Sequence, residues 1–241
     1  MQEPVVAIVV AAGSGVRFGG DVPKALVQLG GRPLVVHAVE ALAAGGVSRV
    51  AVVVADALRP DFARALTDAP IPVELVTGGA RRQDSVRLGL EALASIVGDD
   101  PAVVLVHDAA RPLVPAAVVR RVSEAIGSGE VAVVPVVPVV DSIRRLSDQD
   151  PDGPSSVVDR SQLRAVQTPQ GFDFASLLAA HRSLAEVEDE LTDDAAVAER
   201  AGHQVALVDG SRDALKVTEP VDLLLAEAIL AARATESEEL P

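Results

Sequence analysis

The chain has 241 residues, 49% of them hydrophobic, and 21 Lys and Arg against 35 Asp and Glu leave a formal charge of −14. That length favours one sizeable core over two, and that charge argues against nucleic acid or an anionic membrane as partner, because the summed field repels polyanions. There is no cysteine, so disulfides and thiolate chemistry are excluded, and His37, His107, His181 and His203 are too scattered for a zinc site.

The opening "MQEPVVAIVVAAG" carries an acidic Glu3 and no basic region before its apolar run, so it does not read as a signal peptide. The longest apolar runs are strand-sized, well under the roughly 20 residues of a membrane span. A soluble cytoplasmic protein is the simplest expectation. Val-rich runs then recur at Val5–Val10, Val50–Val54, Val73–Val76, Val103–Val106, Val131–Val134 and Val205–Val208. They are near-continuously apolar, as strands are when both sheet faces are covered. Between them, Pro33–Ala44, Arg59–Thr67, Arg82–Ile96, Pro115–Ile126, Phe172–Leu184, Thr192–Ala201 and Pro220–Ala234 have helical spacing. This alternation predicts an α/β protein, a three-layer α/β/α sandwich around a Rossmann-like, mostly parallel, twisted sheet. One domain is expected over residues 1–234, followed by a disordered acidic tail at 235–241.

One segment interrupts the alternation. Val139–Leu146 and Ser156–Asp159 are β-like and are joined by the polar turn "SDQDPDGPSS". They predict a protruding β-hairpin arm at about 138–160, and because an isolated hairpin is marginal alone, a dimerisation arm is favoured over a loose surface loop.

The candidate chemistry sits in the loops after strands, where open α/β sheets bind ligands. "VVAAGSGVRFGGDVPKAL" places Gly13, Gly15 and Gly19 at a spacing that misses the dinucleotide fingerprint, and no P-loop occurs. What remains is a loop of backbone donors with Arg17 and Lys24 available to neutralise a polyphosphate, or otherwise a tight turn with solvated cations. "LVHDAARPLV" ends a strand at His107 and Asp108 with Arg111 following. Asp108 suits a Mg²⁺ ligand, since that ion takes one or two carboxylates plus substrate phosphates; the alternative is a helix cap. His107 reads as a packed strand-end residue. "TGGARRQDSVRLGL" sets Gly78 and Gly79 before a helix opened by Asp84 and Ser85, and at least one of Arg81 and Arg82 is expected to be solvated. Arg160, Thr168, the "TDD" of Thr192 to Asp194, and Lys216 in "LKVTEP" are each weak alone.

Taken together, "AAGSGVRFG…PK", "GGARRQDSV", "VHDAARP", "PVVDSIRR", "VVDR…QTPQGF", "TDD" and "LKVTEPVDL" resemble the 2-C-methyl-D-erythritol 4-phosphate cytidylyltransferases of the non-mevalonate isoprenoid pathway, from about Val5 to Ala232. The resemblance implies Arg17, Lys24 and Lys216 as catalytic cations. It implies Ala11, Ala12, Gly13, Gly79 and Ser85 around the nucleotide, with Gly79 and Ser85 reading the cytosine. Asp108 is implied as the Mg²⁺ ligand, and Asp108, Arg111, Ser142, Arg160 and Thr168 as neighbours of the sugar phosphate. A homodimer is also implied, in which the arm carries Ser142 and Arg160 to the partner's site. The chain departs from the family pattern at Val10, often Pro, at Ala80, often Asp, and at Ser142, where the family has Thr. The expected reaction is Mg²⁺-dependent transfer of the cytidylyl group of CTP to methylerythritol phosphate. A ribitol-5-phosphate cytidylyltransferase and a catalytically silent nucleotide-binding protein are the alternatives.

Overall fold

A computed structural model describes residues 3–13, 22–98, 100–147, 153–187 and 191–238. In chain order the strands are β1 (Val5–Val10), β2 (Gln28–Leu29), β3 (Arg32–Pro33), β4 (Arg49–Val54), β5 (Val73–Thr77), β6 (Val103–Asp108), β7 (Ala132–Pro138), β8 (Ile143–Arg145), β9 (Ser156–Val158), β10 (Arg164–Val166), β11 (Gln170–Asp173) and β12 (Val205–Asp209). The helices are α1 (Leu34–Ala44), α2 (Arg59–Ala65), α3 (Arg82–Val97), α4 (Ala116–Gly127), α5 (Phe174–Ser183), α6 (Asp194–Arg200) and α7 (Pro220–Glu238).

Among the described residues, eight strands form the central sheet. β5, β4, β1 and β6 run side by side in parallel, and β7 and β12 form a second parallel pair. Between the two groups β11 lies antiparallel to both β6 and β7, and β10 lies antiparallel to β7. The expected three-layer sandwich with a mostly parallel sheet is therefore present, β10 and β11 being its antiparallel members.

The Val-rich strands alternate between two cores. Val9, Val52, Leu105 and Val133 face α1, α2 and α4, whose Val35, Phe62 and Val119 cover them. Ile8, Val53, Val104 and Phe172 face α3, α5 and α6 through Leu90, Leu177 and Ala198. All of these side chains are at most about 2% exposed. Period-two alternation combined with two apolar faces is what produces the continuous valine runs.

Differences from the sequence expectations have local causes. Phe172 belongs to β11, and α5 starts only after Asp173, whose carboxylate accepts the Ser176 N–H at 2.8 Å and caps the helix. α7 continues to Glu238, into the segment expected to be a disordered tail. Ala, Thr, Ser and Glu there include no helix breaker before Pro241. The arm is seen as β8 paired antiparallel with β9, Ile143 opposite Val158 and Arg145 opposite Ser156.

Candidate active site

The carboxyl ends of β1, β5 and β6 meet at a cleft of about 450 Å³. β1 contributes Ala11, Ala12 and Gly13; the turn into α3 contributes Gly79, Ala80, Arg82 and Ser85; β6 contributes Asp108. Lys24, Arg81 and Lys216 line it as well. Backbone bonds tie each loop to its neighbour: the Ala11 N–H to Val53 O at 2.9 Å, the Gly78 N–H to Val54 O at 2.8 Å, and the Ala109 N–H to Val10 O at 3.2 Å. The Val217 N–H donates to Ala110 O at 2.8 Å, which brings Lys216 to β6 across a large gap in sequence.

The double glycine is required by this closeness. A Cβ on Gly79 would lie 2.4 Å from Cβ of Asp84, and one on Gly78 would lie 2.9 Å from Oγ of Ser85. The Gly79 N–H donates to Oγ of the buried Ser85 at 3.1 Å. The serine hydroxyl is thereby oriented and keeps its own proton to donate.

Neither Arg81 nor Arg82 is the solvated cation expected from sequence. Arg81 caps α3 in a reciprocal pair with Asp84 and reaches Ala185 O and Val187 O at 2.9 and 2.7 Å. Arg82 pairs with Asp194 at 2.7 Å. Asp194 is fully buried and also meets Nε2 of His181 at 3.1 Å. The cap of α6 is Asp193, which accepts the Ala196 N–H at 2.9 Å. In the sequence "TDD" is weak alone; the signal it carries is that a cap needs one acid, and here two stand together.

Asp108 and Lys216 form the ionic centre, with Nζ 2.7 Å from Oδ2. Burial alone would raise the Asp108 carboxyl. The Lys216 ammonium, its hydrogen bond and the Arg82 charge outweigh that and hold it below the usual carboxylate range. Behind it, the Asp108 N–H donates to Oγ1 of Thr168 at 3.1 Å, and that hydroxyl lies 3.0 Å from Nδ1 of His107. Nε2 of His107 is 3.0 Å from Arg111 O. One assignment satisfies the chain: Thr168 donates to Nδ1, and His107 carries its proton on Nε2 and donates it to the carbonyl. Complete burial pushes the His107 pKa down to about 4, so the ring is neutral. The reading of His107 as a packed strand-end residue holds.

The remaining candidates fall elsewhere. Thr168 is buried, accepts the Asp108 backbone N–H at 3.1 Å and is not among the residues lining the cleft. The Arg111 guanidinium donates to Ala214 O at 2.7 Å, two residues before Lys216, and to Val166 O at 3.3 Å, and it is not among the residues lining the cleft. Ser142 and Arg160 are exposed on the arm, where Arg160 bonds Val140 O, and neither lines the cleft. Arg17 lies outside the described residues. Asp213 is 3.0 Å from Arg233 and outside the cleft lining.

The family model described as 2-C-methyl-D-erythritol 4-phosphate cytidylyltransferase matches residues 5–232. A protein of that name from Streptomyces coelicolor is 48% identical over 236 residues, covering 94% of this chain and 85% of its own. One from Saccharopolyspora erythraea is 48% identical over 228 residues, covering 94% and 99%. The crystal structure of the Thermus thermophilus protein of the same name superposes with a TM-score of 0.75 at 37% identity, covering 95% and 98%. The three-layer fold with its cationic cleft at the strand ends is that of a nucleotidyltransferase. Within that class, the chain belongs to the 2-C-methyl-D-erythritol 4-phosphate cytidylyltransferase family.

Proposed function

We propose that the chain transfers the cytidylyl group of CTP to 2-C-methyl-D-erythritol 4-phosphate, releasing pyrophosphate and forming 4-diphosphocytidyl-2-C-methyl-D-erythritol in the cytoplasm. The observation that carries the reading is the Asp108–Lys216 pair facing Lys24, Gly79 and Ser85 across one cleft of a family member. The base lies against the Gly79–Ser85 turn, where the oriented hydroxyl and backbone supply polar contacts to its edge. The triphosphate lies along Ala11 to Gly13 and Lys24, with Arg17 as a further cation.

An oxygen of the sugar phosphate attacks the α-phosphorus of CTP, and the bond from that phosphorus to the bridging oxygen breaks in line. The nucleophile is already an anion at neutral pH, because a phosphomonoester has its second pKa near about 6. No side chain has to remove a proton. The residues instead bring two mutually repelling anions together and stabilise charge as it shifts toward pyrophosphate. Lys216 stands beside Asp108, where it serves both the attacking phosphate and the α-phosphate.

The donor set fits Mg²⁺. Asp108 is held ionised and borders the cleft, with Lys216 on Oδ2 only. No group of three or more acids or histidines gathers anywhere among the described residues, so Asp108 stands without further protein ligands of that kind. One carboxylate together with substrate phosphates is a set that Mg²⁺ accepts. Asp108 would hold the ion, whose chemistry when bound is charge neutralisation across the phosphates.

Ser142 and Arg160 support a homodimer in which each arm completes the partner's site. Both lie on the arm, among the exposed apolar side chains Val140, Leu146 and Val157.

The test uses CTP labelled at the α-phosphorus. Incubation with methylerythritol phosphate and Mg²⁺ should move the label into a diphosphate-linked product in equal amount to pyrophosphate. Label remaining in CTP, or appearing only as CMP, contradicts the reading.

A further inference from the structure

Arg82 opens α3 in the wall of the cleft and is half-buried, with 27% of its side chain exposed. Oδ2 of Asp194 lies 2.7 Å from Nη2 of its guanidinium, an ion pair, while Oδ1 of Asp194 meets His181 at 3.1 Å. Both Asp194 and His181 are buried, at 0% and 3% exposure, and Asp193 already caps the helix. A buried carboxylate is costly to desolvate, so an acid that neither caps nor faces solvent needs another purpose. Its purpose here is to hold Arg82 in place.

Nη1 of Arg82 and Oδ2 of Asp194 are both buried without a hydrogen-bond partner among the described residues, so the ion pair leaves hydrogen-bonding capacity unused on each side. Asp194 and Asp108 together more than offset the burial that disfavours the charge, so the guanidinium stays cationic. A cation paired with a buried carboxylate, with one nitrogen unsatisfied and set in the same wall as Lys24 and Lys216, is organised to receive an anion. The planar guanidinium matches the geometry of phosphate oxygens.

We propose that Arg82 is a substrate-binding residue of this cleft, held by the buried Asp194–His181 pair to take a phosphate group. This rests on the cytidylyl-transfer reading. The phosphate belongs either to CTP or to the sugar phosphate, and the test separates them.

Arg82→Gln alone would leave Asp194 buried and uncompensated, so the informative variant is Arg82→Gln with Asp194→Asn, which removes both charges together. It should keep the wild-type circular dichroism and unfold cooperatively. KM for the substrate whose phosphate Arg82 holds should rise by on the order of tenfold or more, as expected for losing a charged hydrogen bond, and the other KM should change little. A folded double variant with both KM values unchanged overturns the proposal. Should that variant fail to fold, the intact protein decides. The Arg82 side-chain ¹⁵Nε resonance, assigned with Arg82→Lys, should shift on adding CTP alone or methylerythritol phosphate alone, and no shift with either overturns it. Wild-type turnover is measured alongside. If the wild type is inactive, the cytidylyl-transfer reading fails; titration of the same resonance with inorganic pyrophosphate then still reports whether Arg82 binds phosphate.

Discussion

At the scale of single residues, the cleft depends on charges held against their own desolvation. Asp108 keeps its charge because Lys216 and Arg82 repay the cost of burial. Its folded pKa lies below the unfolded one, so the stability from this pairing is present at neutral pH and is lost as pH falls through the depressed folded value. Lys216 is 44% exposed and Arg82 still faces Asp108, so Lys216→Ala should still fold, with the stability of the pairing lost. Its turnover should fall by on the order of 10²-fold, measured as pyrophosphate release, since an electrostatic donor to the transition state is gone. His107 carries the opposite kind of constraint, a buried ring kept neutral with a pKa of about 4. The folded state resists its protonation while the unfolded state takes a proton near about 6.5, so this group destabilises the fold as pH falls from that value toward 4. An NMR titration should place the His107 midpoint well below 5, with the proton on Nε2 throughout the neutral range. A midpoint near the ordinary histidine value would show that the Thr168–His107–Arg111 chain is not closed. Asp108 was legible in the sequence because it is a polar residue at the end of an apolar run, whereas Lys216 in "LKVTEP" was weak alone and stood out only through the family resemblance. The Arg82–Asp194–His181 set was not, because its members lie on α3, α5 and α6, and only packing brings them together.

At the scale of elements, the site is made by strand ends and by how closely α3 approaches them. Gly79→Ala should lower the unfolding free energy by about 1–3 kcal/mol in chemical denaturation, the usual cost of overpacking. It should also weaken CTP binding, because relieving the Asp84 clash moves the Gly79 N–H off Ser85. An unchanged stability and CTP affinity would mean the turn tolerates a side chain. The Val-rich strands and the helices over them were readable from periodicity, since two covered faces impose apolar runs that few other structures need. The antiparallel insertion of β10 and β11 was not. Each is short, and Gln170 in β11 is buried only because its amide donates to Asp193 and accepts from the Ala195 N–H. A glutamine satisfied by tertiary partners carries no local strand signal. The arm was readable from its polar turn between β-like pieces, but its pairing register was not.

At the scale of the whole molecule, a chain of charge −14 gathers Lys24, Arg82 and Lys216 around one cleft that is to receive two anions. The arm is what the single chain leaves unfinished, for it displays Val140, Leu146 and Val157 at 53, 58 and 74% exposure and keeps Ser142 and Arg160 off the chain's own cleft. Replacing residues 143–158 with a short Asn-Gly turn should leave the sandwich folded. The mass seen by light scattering should fall from about twice 24.8 kDa to that of one chain, with activity lost. A parent protein already monomeric and active would remove the arm from the account. No helix among the described residues is long and apolar enough to cross a membrane. The central claim, that this cleft joins CTP to methylerythritol phosphate, is tested most directly by pyrophosphate release with each of the four ribonucleoside triphosphates against methylerythritol 4-phosphate and ribitol 5-phosphate. The account predicts that CTP with methylerythritol phosphate has a kcat/KM at least on the order of 10²-fold above every other pairing, as a site that hydrogen-bonds its substrate rejects analogues lacking the matching groups. Equal or greater turnover with ribitol 5-phosphate, or release with no pairing despite CTP binding, would contradict it.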